Sequence, residues 1–245
     1  LVTNQKGKSI GVVSKTDIMG AYYAGLPTNK ELDNIMVCPP SFCFSEESVE
    51  QAVDQMQTRG IHQIYVQSRE NGRTKGQMEY SDIVGLVYRF CRACKKSGRQ
   101  SKDFPSLVVK DVMNYGVASC NETQPIVEVI EVLSSQKLGA ILISDRNNQP
   151  AGIVSKTDLV LAYIRGTQID EPARNIMKWP VVSCNASDKL SSTIQQMSLF
   201  DIGRIFVREN EDGPIIGVLA LSDATRFRSG TCKACGAGRI IEQSF

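Results

Sequence analysis

Between residues 110 and 164 the spacing of apolar positions changes period several times, and each change marks an element. Val117-Ala118-Ser119-Cys120 alternates as a short strand, whereas Ile126, Val127, Val129, Ile130 and Leu133 recur at helical spacing along one face. Ala140-Ile141-Leu142-Ile143 then reads as an apolar strand, residues 145–149 as a polar turn, Gly152 to Ser155 as another strand and Asp158 to Ile164 as a helix. The predicted order is β-α-β-β-α, introduced by Lys110-Asp111-Val112-Met113.

The same plan recurs. Gly11-Val12-Val13-Ser14-Lys15-Thr16-Asp17 returns as Gly152-Ile153-Val154-Ser155-Lys156-Thr157-Asp158, and Cys91-Arg92-Ala93-Cys94 returns as Cys232-Lys233-Ala234-Cys235, both at an offset of 141 residues. Ile35-Met36 maps onto Ile176-Met177, Ile64-Tyr65-Val66 onto Ile205-Phe206-Val207, and Ser81-Asp82 onto Ser222-Asp223 without a gap. A register kept this long means a duplicated structural unit. Each half divides again. Val49, Val53 and Met56 mark a helix in the second repeat, with Ser48 and Gln51 spaced as a capping box; Leu190, Ile194 and Met197 mark its partner in the fourth. Turns fall at Asn71-Gly72 and Asp212-Gly213. The predicted division is repeats at 1–31, 32–90, 106–170 and 171–228, with C-x-A-C tails at 91–100 and 229–245, so that 1–100 and 101–245 form two modules. Leu1-Val2 aligns with Leu142-Ile143, which leaves the first repeat only its second half and implies that the natural protein begins earlier or that this part was not included.

Composition narrows the function. The 245 residues carry a net charge of only +2, too little for a protein built around a basic nucleic-acid face. No apolar run approaches the roughly 20 residues of a membrane span, and no basic leader precedes one, so a soluble, cytoplasmic protein is expected.

The corner Gly152-x-x-Ser155-x-x-Asp158 carries candidate chemistry. A glycine lets the strand approach another group closely, the hydroxyl sits where the strand ends, and a helix N-terminus favours an anion. Such a corner can hold a phosphate while the carboxylate accepts hydrogen bonds from ribose hydroxyls. A simpler reading makes Ser155 and Asp158 shapers of a turn, with Asp158 as the helix N-cap; capping of that kind accounts for the aspartate but not for the serine or the glycine. The second and fourth repeats depart from the pattern, with Glu79 and Ala220 at the hydroxyl position. Glu79 repels phosphate, which leaves that corner empty, restricted to a nucleoside end, or suited to a metal-bound nucleotide. Arg204 is either a phosphate contact or, the reading preferred, an ordinary solvated side chain.

A unit of this length, opening with a Met-containing turn and closing with Gly-x-h-(Ser/Thr)-x-x-Asp before a helix, resembles the cystathionine β-synthase (CBS) domain. The resemblance covers nearly the whole chain as four units, the first incomplete. It implies an α/β (α+β) fold of tandem CBS pairs, each pair a Bateman module, duplicated about a pseudo-two-fold axis. It further implies an adenine nucleotide (AMP, ADP or ATP) as ligand, with Ser14, Thr16, Asp17, Ser155, Thr157 and Asp158 at two complete corners and Asp82 and Asp223 at two partial ones. It also implies a homodimer through CBS discs and a regulated partner protein.

Eight cysteines with one histidine and no export signal do not suggest a secreted disulfide scaffold. Cys43, Cys120 and Cys184 occupy equivalent strand positions and are expected to pack as small apolar side chains; Cys38 reads as incidental. Cys91, Cys94, Cys232 and Cys235 each close a repeat, and two such knuckles could supply four thiolates to a zinc or iron ion, within one chain or between two. Idle thiols and a redox-active disulfide are the alternatives.

The leading expectation is a regulatory protein that senses adenine nucleotides and signals by a shift in conformational population. A metal or redox sensor with the CBS units as scaffold is the alternative. An enzyme is disfavoured by the absence of a phosphate-binding loop or a nucleophile–base pairing, and His62 reads as packed or solvent-facing. The basic run from Arg89 to Lys102 is the only local argument for nucleic acid, and a solvated linker explains it equally well.

Overall fold

The computed structural model describes residues 1–84 and 107–225. The chain forms two compact units, Leu1–Pro40 with Val117–Val182, and Ser41–Gly116 with Ser183–Phe245. Each joins segments from both halves of the sequence.

The third repeat follows the predicted order. Ser119–Asn121 pairs in parallel with Ala140–Ser144, which pairs antiparallel with Pro150–Ser155, and the helices Ile126–Ser135 and Lys156–Arg165 complete the unit. The helix Ile126–Ser135 buries Ile126, Val129, Ile130 and Leu133 of the predicted face and leaves Val127 only partly covered. The turn before Pro150 is held by Asp145 Oδ1, which accepts from the amides of Asn147 and Gln149 at 2.8 Å each. A bulge at Ile143/Ser144 recurs at Val66/Gln67 and Val207/Arg208, so the duplication reaches the detail of strand register.

In the first compact unit one core is assembled from repeats one and three. Met19 and Tyr22 of the helix Lys15–Tyr23 join Ile126, Leu133, Ile141, Val154 and Leu159. Equivalent contacts are exchanged between the two helices that end these repeats. The Tyr22 hydroxyl donates to the Thr167 carbonyl at 2.8 Å, and the Tyr163 hydroxyl donates to that of Leu26. Such reciprocity is what a two-fold relation between duplicated units produces.

In the second compact unit Cys43, Ala52, Val53, Met56 and Ile64 pack with Tyr80 and Ile83. Its helix Val49–Thr58 starts at the predicted capping box: Gln51 N donates to Ser48 Oγ at 3.2 Å, and Ser48 N to Gln51 Oε1 at 2.9 Å. Val49 does not join the core as its spacing predicts. It stands at the first helical position, 48% exposed, and Ala52 takes the inward place. In the helix Leu190–Leu199 the fully buried middle position is likewise Thr193, with Ile194 only partly covered.

The Met-containing openers settle on a neighbouring repeat. Asn114–Tyr115, from the opener of the third repeat, forms the edge strand of the fourth repeat's sheet, whose order is Ser183–Asn185, Arg204–Arg208, Ile215–Ala220, Asn114–Tyr115. Lys178, from the opener of the fourth, bridges to Ile153 of the third, and Val37, from the opener of the second, bridges to Val12 of the first.

Candidate functional site

The opener explains the glycine that begins the two complete corners. A Cβ on Gly152 would lie 2.8 Å from the Lys178 carbonyl oxygen and 3.0 Å from Met177 Sδ; one on Gly11 would lie 2.6 Å from Met36 Sδ. The expected close approach is therefore to the protein's own opener, clamped by paired backbone bonds. Ile153 N donates to Lys178 O, and Lys178 N to Ile153 O, at 2.9 Å each; Val12 and Val37 exchange the same bonds at 2.9 and 2.8 Å.

Serine, not aspartate, caps the helices, which corrects the turn-shaping alternative. Ser155 is the N-cap of Lys156–Arg165 and Asp158 is its third residue: Ser155 N and Oγ donate to Asp158 Oδ2 at 2.8 and 2.5 Å, and Asp158 N reaches back to Ser155 Oγ at 3.4 Å. Ser14 and Asp17 repeat the box at the helix Lys15–Tyr23, with both donors at 2.7 Å from Asp17 Oδ2. Capping thus accounts for the serine as well as the aspartate. It leaves the second carboxylate oxygen unexplained. Asp158 is only 4% exposed, and its Oδ1 has no hydrogen-bond partner. The Lys178 ammonium forms an ion pair with this oxygen at 2.8 Å. Asp17 is half-buried and no ion pair among the described residues reaches it.

Thr16 and Thr157 lie between the two corners and are bridged across them. Lys15 Nζ donates to Thr157 Oγ1, and Lys156 Nζ to Thr16 Oγ1, at 2.9 Å each. Two ammonium groups, two helix N-termini and two carboxylates are therefore gathered in the first compact unit, an arrangement that can receive anionic groups while offering carboxylate acceptors.

The corners of repeats two and four keep half of the box. Glu79 N donates to Asp82 Oδ2 at 2.8 Å and Ala220 N to Asp223 Oδ2 at 3.1 Å, with no hydroxyl to complete the exchange. Asp82 is exposed. Asp223 Oδ2 also accepts from Asn114 Nδ2 at 2.7 Å. Arg204 is not the ordinary solvated side chain preferred from the sequence. Burial pulls its guanidinium pKa below the usual value, and the facing Asp223 carboxylate pulls it back up. The signal for this was weak, because Arg204 opens a strand whose inward register depends on the sheet pairing.

Cys43, Cys120 and Cys184 are buried as expected, and burial raises the pKa of each thiol, that of Cys184 to about 11. His62 is exposed with its ring edge-on to Tyr80 at 5.8 Å. Cys91, Cys94, Cys232 and Cys235, and the basic run from Arg89 to Lys102, lie outside the described residues. Among the described residues no group of three or more histidine, cysteine or acidic side chains could hold a metal ion, and no helix is long and apolar enough to cross a membrane.

The sequence profile of the CBS domain matches residues 32–89, 109–165 and 173–230, more than half of the chain, and the protein belongs to the CBS domain family. Among solved structures it is similar to protein MJ1225 of Methanocaldococcus jannaschii, proposed to be an archaeal homologue of the γ subunit of AMP-activated protein kinase. That similarity has a TM-score of 0.73 over 91% of this chain and 84% of the other, at 16% identity, and establishes the fold. By sequence it is 26% identical over 120 residues to the uncharacterized protein MK0525 of Methanopyrus kandleri, and 26% identical over 118 residues to the γ subunit of 5'-AMP-activated protein kinase of Saccharomyces cerevisiae. These matches cover 48% and 44% of this chain, and 61% and 36% of the relatives' own lengths.

Proposed function

We propose that this protein is a regulatory, non-catalytic binding protein that takes an adenine nucleotide at the Ser14–Asp17 and Ser155–Asp158 corners and reports its occupancy to a partner protein by conformational change. The observation that carries this reading is the Asp158 carboxylate. It is nearly fully buried at a helix N-terminus, one oxygen serves the capping box, and the other is left by the box to a single, largely exposed lysine, so that hydroxyl donors such as a ribose diol can take its place. The neighbouring lysines and helix N-termini suit the phosphate, and the sequence relationship to the γ subunit of 5'-AMP-activated protein kinase favours an adenine ligand. The partial corners, Asp82 beside Glu79 and Asp223 beside Ala220, are weaker sites in this reading. Openers that settle on neighbouring repeats support pairing of consecutive repeats into two Bateman modules over 1–100 and 101–245, with CBS discs as the homodimer surface in a cytoplasmic protein.

Calorimetric titration with AMP, ADP, ATP, S-adenosylmethionine and a guanine nucleotide tests it. An adenine ligand binds, and Asp158→Ala weakens binding by at least about 1.5 kcal/mol, the scale of a lost charge-assisted hydrogen bond. Asp158→Asn, which can still accept from Ser155 N, separates ligand loss from helix fraying. Absence of binding by all five ligands refutes the function and leaves the fold untouched. The recurrence of the C-x-A-C motifs at the 141-residue offset favours a second reading, a metal or redox sensor with zinc or iron held by Cys91, Cys94, Cys232 and Cys235.

A further inference from the structure

The two complete corners share one backbone frame, and the polar difference between them lies at one side chain. In both, the residue after the opener methionine is fixed by paired backbone hydrogen bonds to the residue after the corner glycine, Val37 to Val12 and Lys178 to Ile153. The bonds leave little freedom for the Cα at this position, so its side chain decides what faces the aspartate. Lys178 sends its ammonium to Asp158 Oδ1 at 2.8 Å, the carboxylate oxygen that the capping box leaves unused. Val37 has no polar atom to offer Asp17.

We infer that Lys178 is a latch on the Asp158 corner, an ammonium that holds the ligand-accepting carboxylate oxygen until a sugar diol displaces it, while the Asp17 corner stands unlatched. The inference rests on the nucleotide reading above and assigns a regulation to it. The Asp158 carboxylate is 3% exposed and cannot be left bare without cost, whereas the Lys178 side chain is 62% exposed and can swing back to water at little cost. A carboxylate partnered in this way is held in place without being sealed off. Because the ion pair is partly solvated, salt weakens it, so access to this corner depends on ionic strength in a way that access to the Asp17 corner does not. The two sites therefore fill at different ligand concentrations although their motifs are identical in six of seven positions.

The test uses adenosine, an uncharged probe that carries the diol without a phosphate, with AMP alongside. In an Asp17→Asn background, which silences the first corner, Lys178→Met is expected to tighten adenosine binding roughly two- to five-fold, the worth of one partly exposed ion pair. Raising the salt is expected to tighten it in the Lys178 protein and not in Lys178→Met. In an Asp158→Asn background, Val37→Lys is expected to weaken binding at Asp17 by a similar factor. Lys178→Gln, which keeps a neutral donor beside the buried carboxylate, serves if Lys178→Met does not fold. Should adenosine or AMP bind in an Asp158-dependent manner with the same affinity and salt response in both proteins, the latch is refuted and the nucleotide reading stands. Weaker binding in Lys178→Met would make Lys178 a ligand contact and refute the latch equally. Failure of both probes to bind any of these proteins overturns the nucleotide reading and the latch together.

Discussion

Asp158 and Cys184 are both buried, and they answer the loss of water in opposite ways. Asp158 keeps a lysine and a serine about it; for Cys184 burial, joined by the Asp188 carboxylate and opposed by hydrogen bonding, holds the thiol in the neutral form with a pKa of about 11 against an ordinary 9.0. As pH rises through 9, the unfolded thiol loses its proton first while the folded thiol retains it. The native state is therefore favoured fully below about pH 9 and loses on the order of 2 kcal/mol as pH climbs to about 11. Cys43 and Cys120, raised in the same direction, add to the trend. Denaturant unfolding from pH 8 to pH 10.5 should show stability falling, and Cys184→Ala should flatten that slope. A stability that rises over this interval would contradict the burial of these thiols. The inert positions of Cys43, Cys120 and Cys184 were legible in the sequence because a strand's alternation places them inward. Asp158 was legible as a candidate, but its helix position was not, since Ser-x-x-Asp can place either residue at the cap and only the backbone decides.

The β-α-β-β-α elements follow directly from hydrophobic period, and the differences lie at their margins. Val49 satisfies the helical period yet sits at a helix start, where an outward position costs little. What no local pattern could reveal is where the openers go. Their three-residue helical turns, such as Ala173–Asn175, and the bridges that follow are too short to carry a pattern of their own, and pairing across repeats is a tertiary choice. The seam between opener and corner should be the most volume-sensitive place in the element. Gly152→Ala would push a Cβ to 2.8 Å from the Lys178 carbonyl, a backbone atom that cannot turn aside, and is expected to cost about 1–3 kcal/mol in denaturant unfolding. Gly203→Ala, with nothing within 4 Å of the added atom, is expected to stay within about 0.5 kcal/mol of the parent. Equal effects of the two would mean that the seam has room to spare.

For the molecule as a whole, the duplication visible at an offset of 141 residues returns as a two-fold exchange of contacts in the first compact unit, Tyr22 to Thr167 answered by Tyr163 to Leu26. The family and the repeat were readable because motif spacing survives where identity does not. Lys178 and Arg204 were not, because their partners lie on segments that only folding brings together. The paired cysteine tails give a prediction at this scale. Protein purified without oxygen should carry at least about half an equivalent of zinc or iron per chain if the four thiolates hold one ion, and Cys232→Ser should abolish it. Metal content near zero would sink the metal site while leaving the nucleotide corners as they are.

The crossing of the openers has one more consequence. Met177 is inherited as the start of the fourth repeat, yet it lies against Gly152 of the third. Met113 is inherited with the third and lies against Gly217 of the fourth. The stretch that evolution copies and the stretch that folds are thus out of phase by one segment. A fault written into one copy is felt in its neighbour, and the repeats can diverge in chemistry while remaining unable to part.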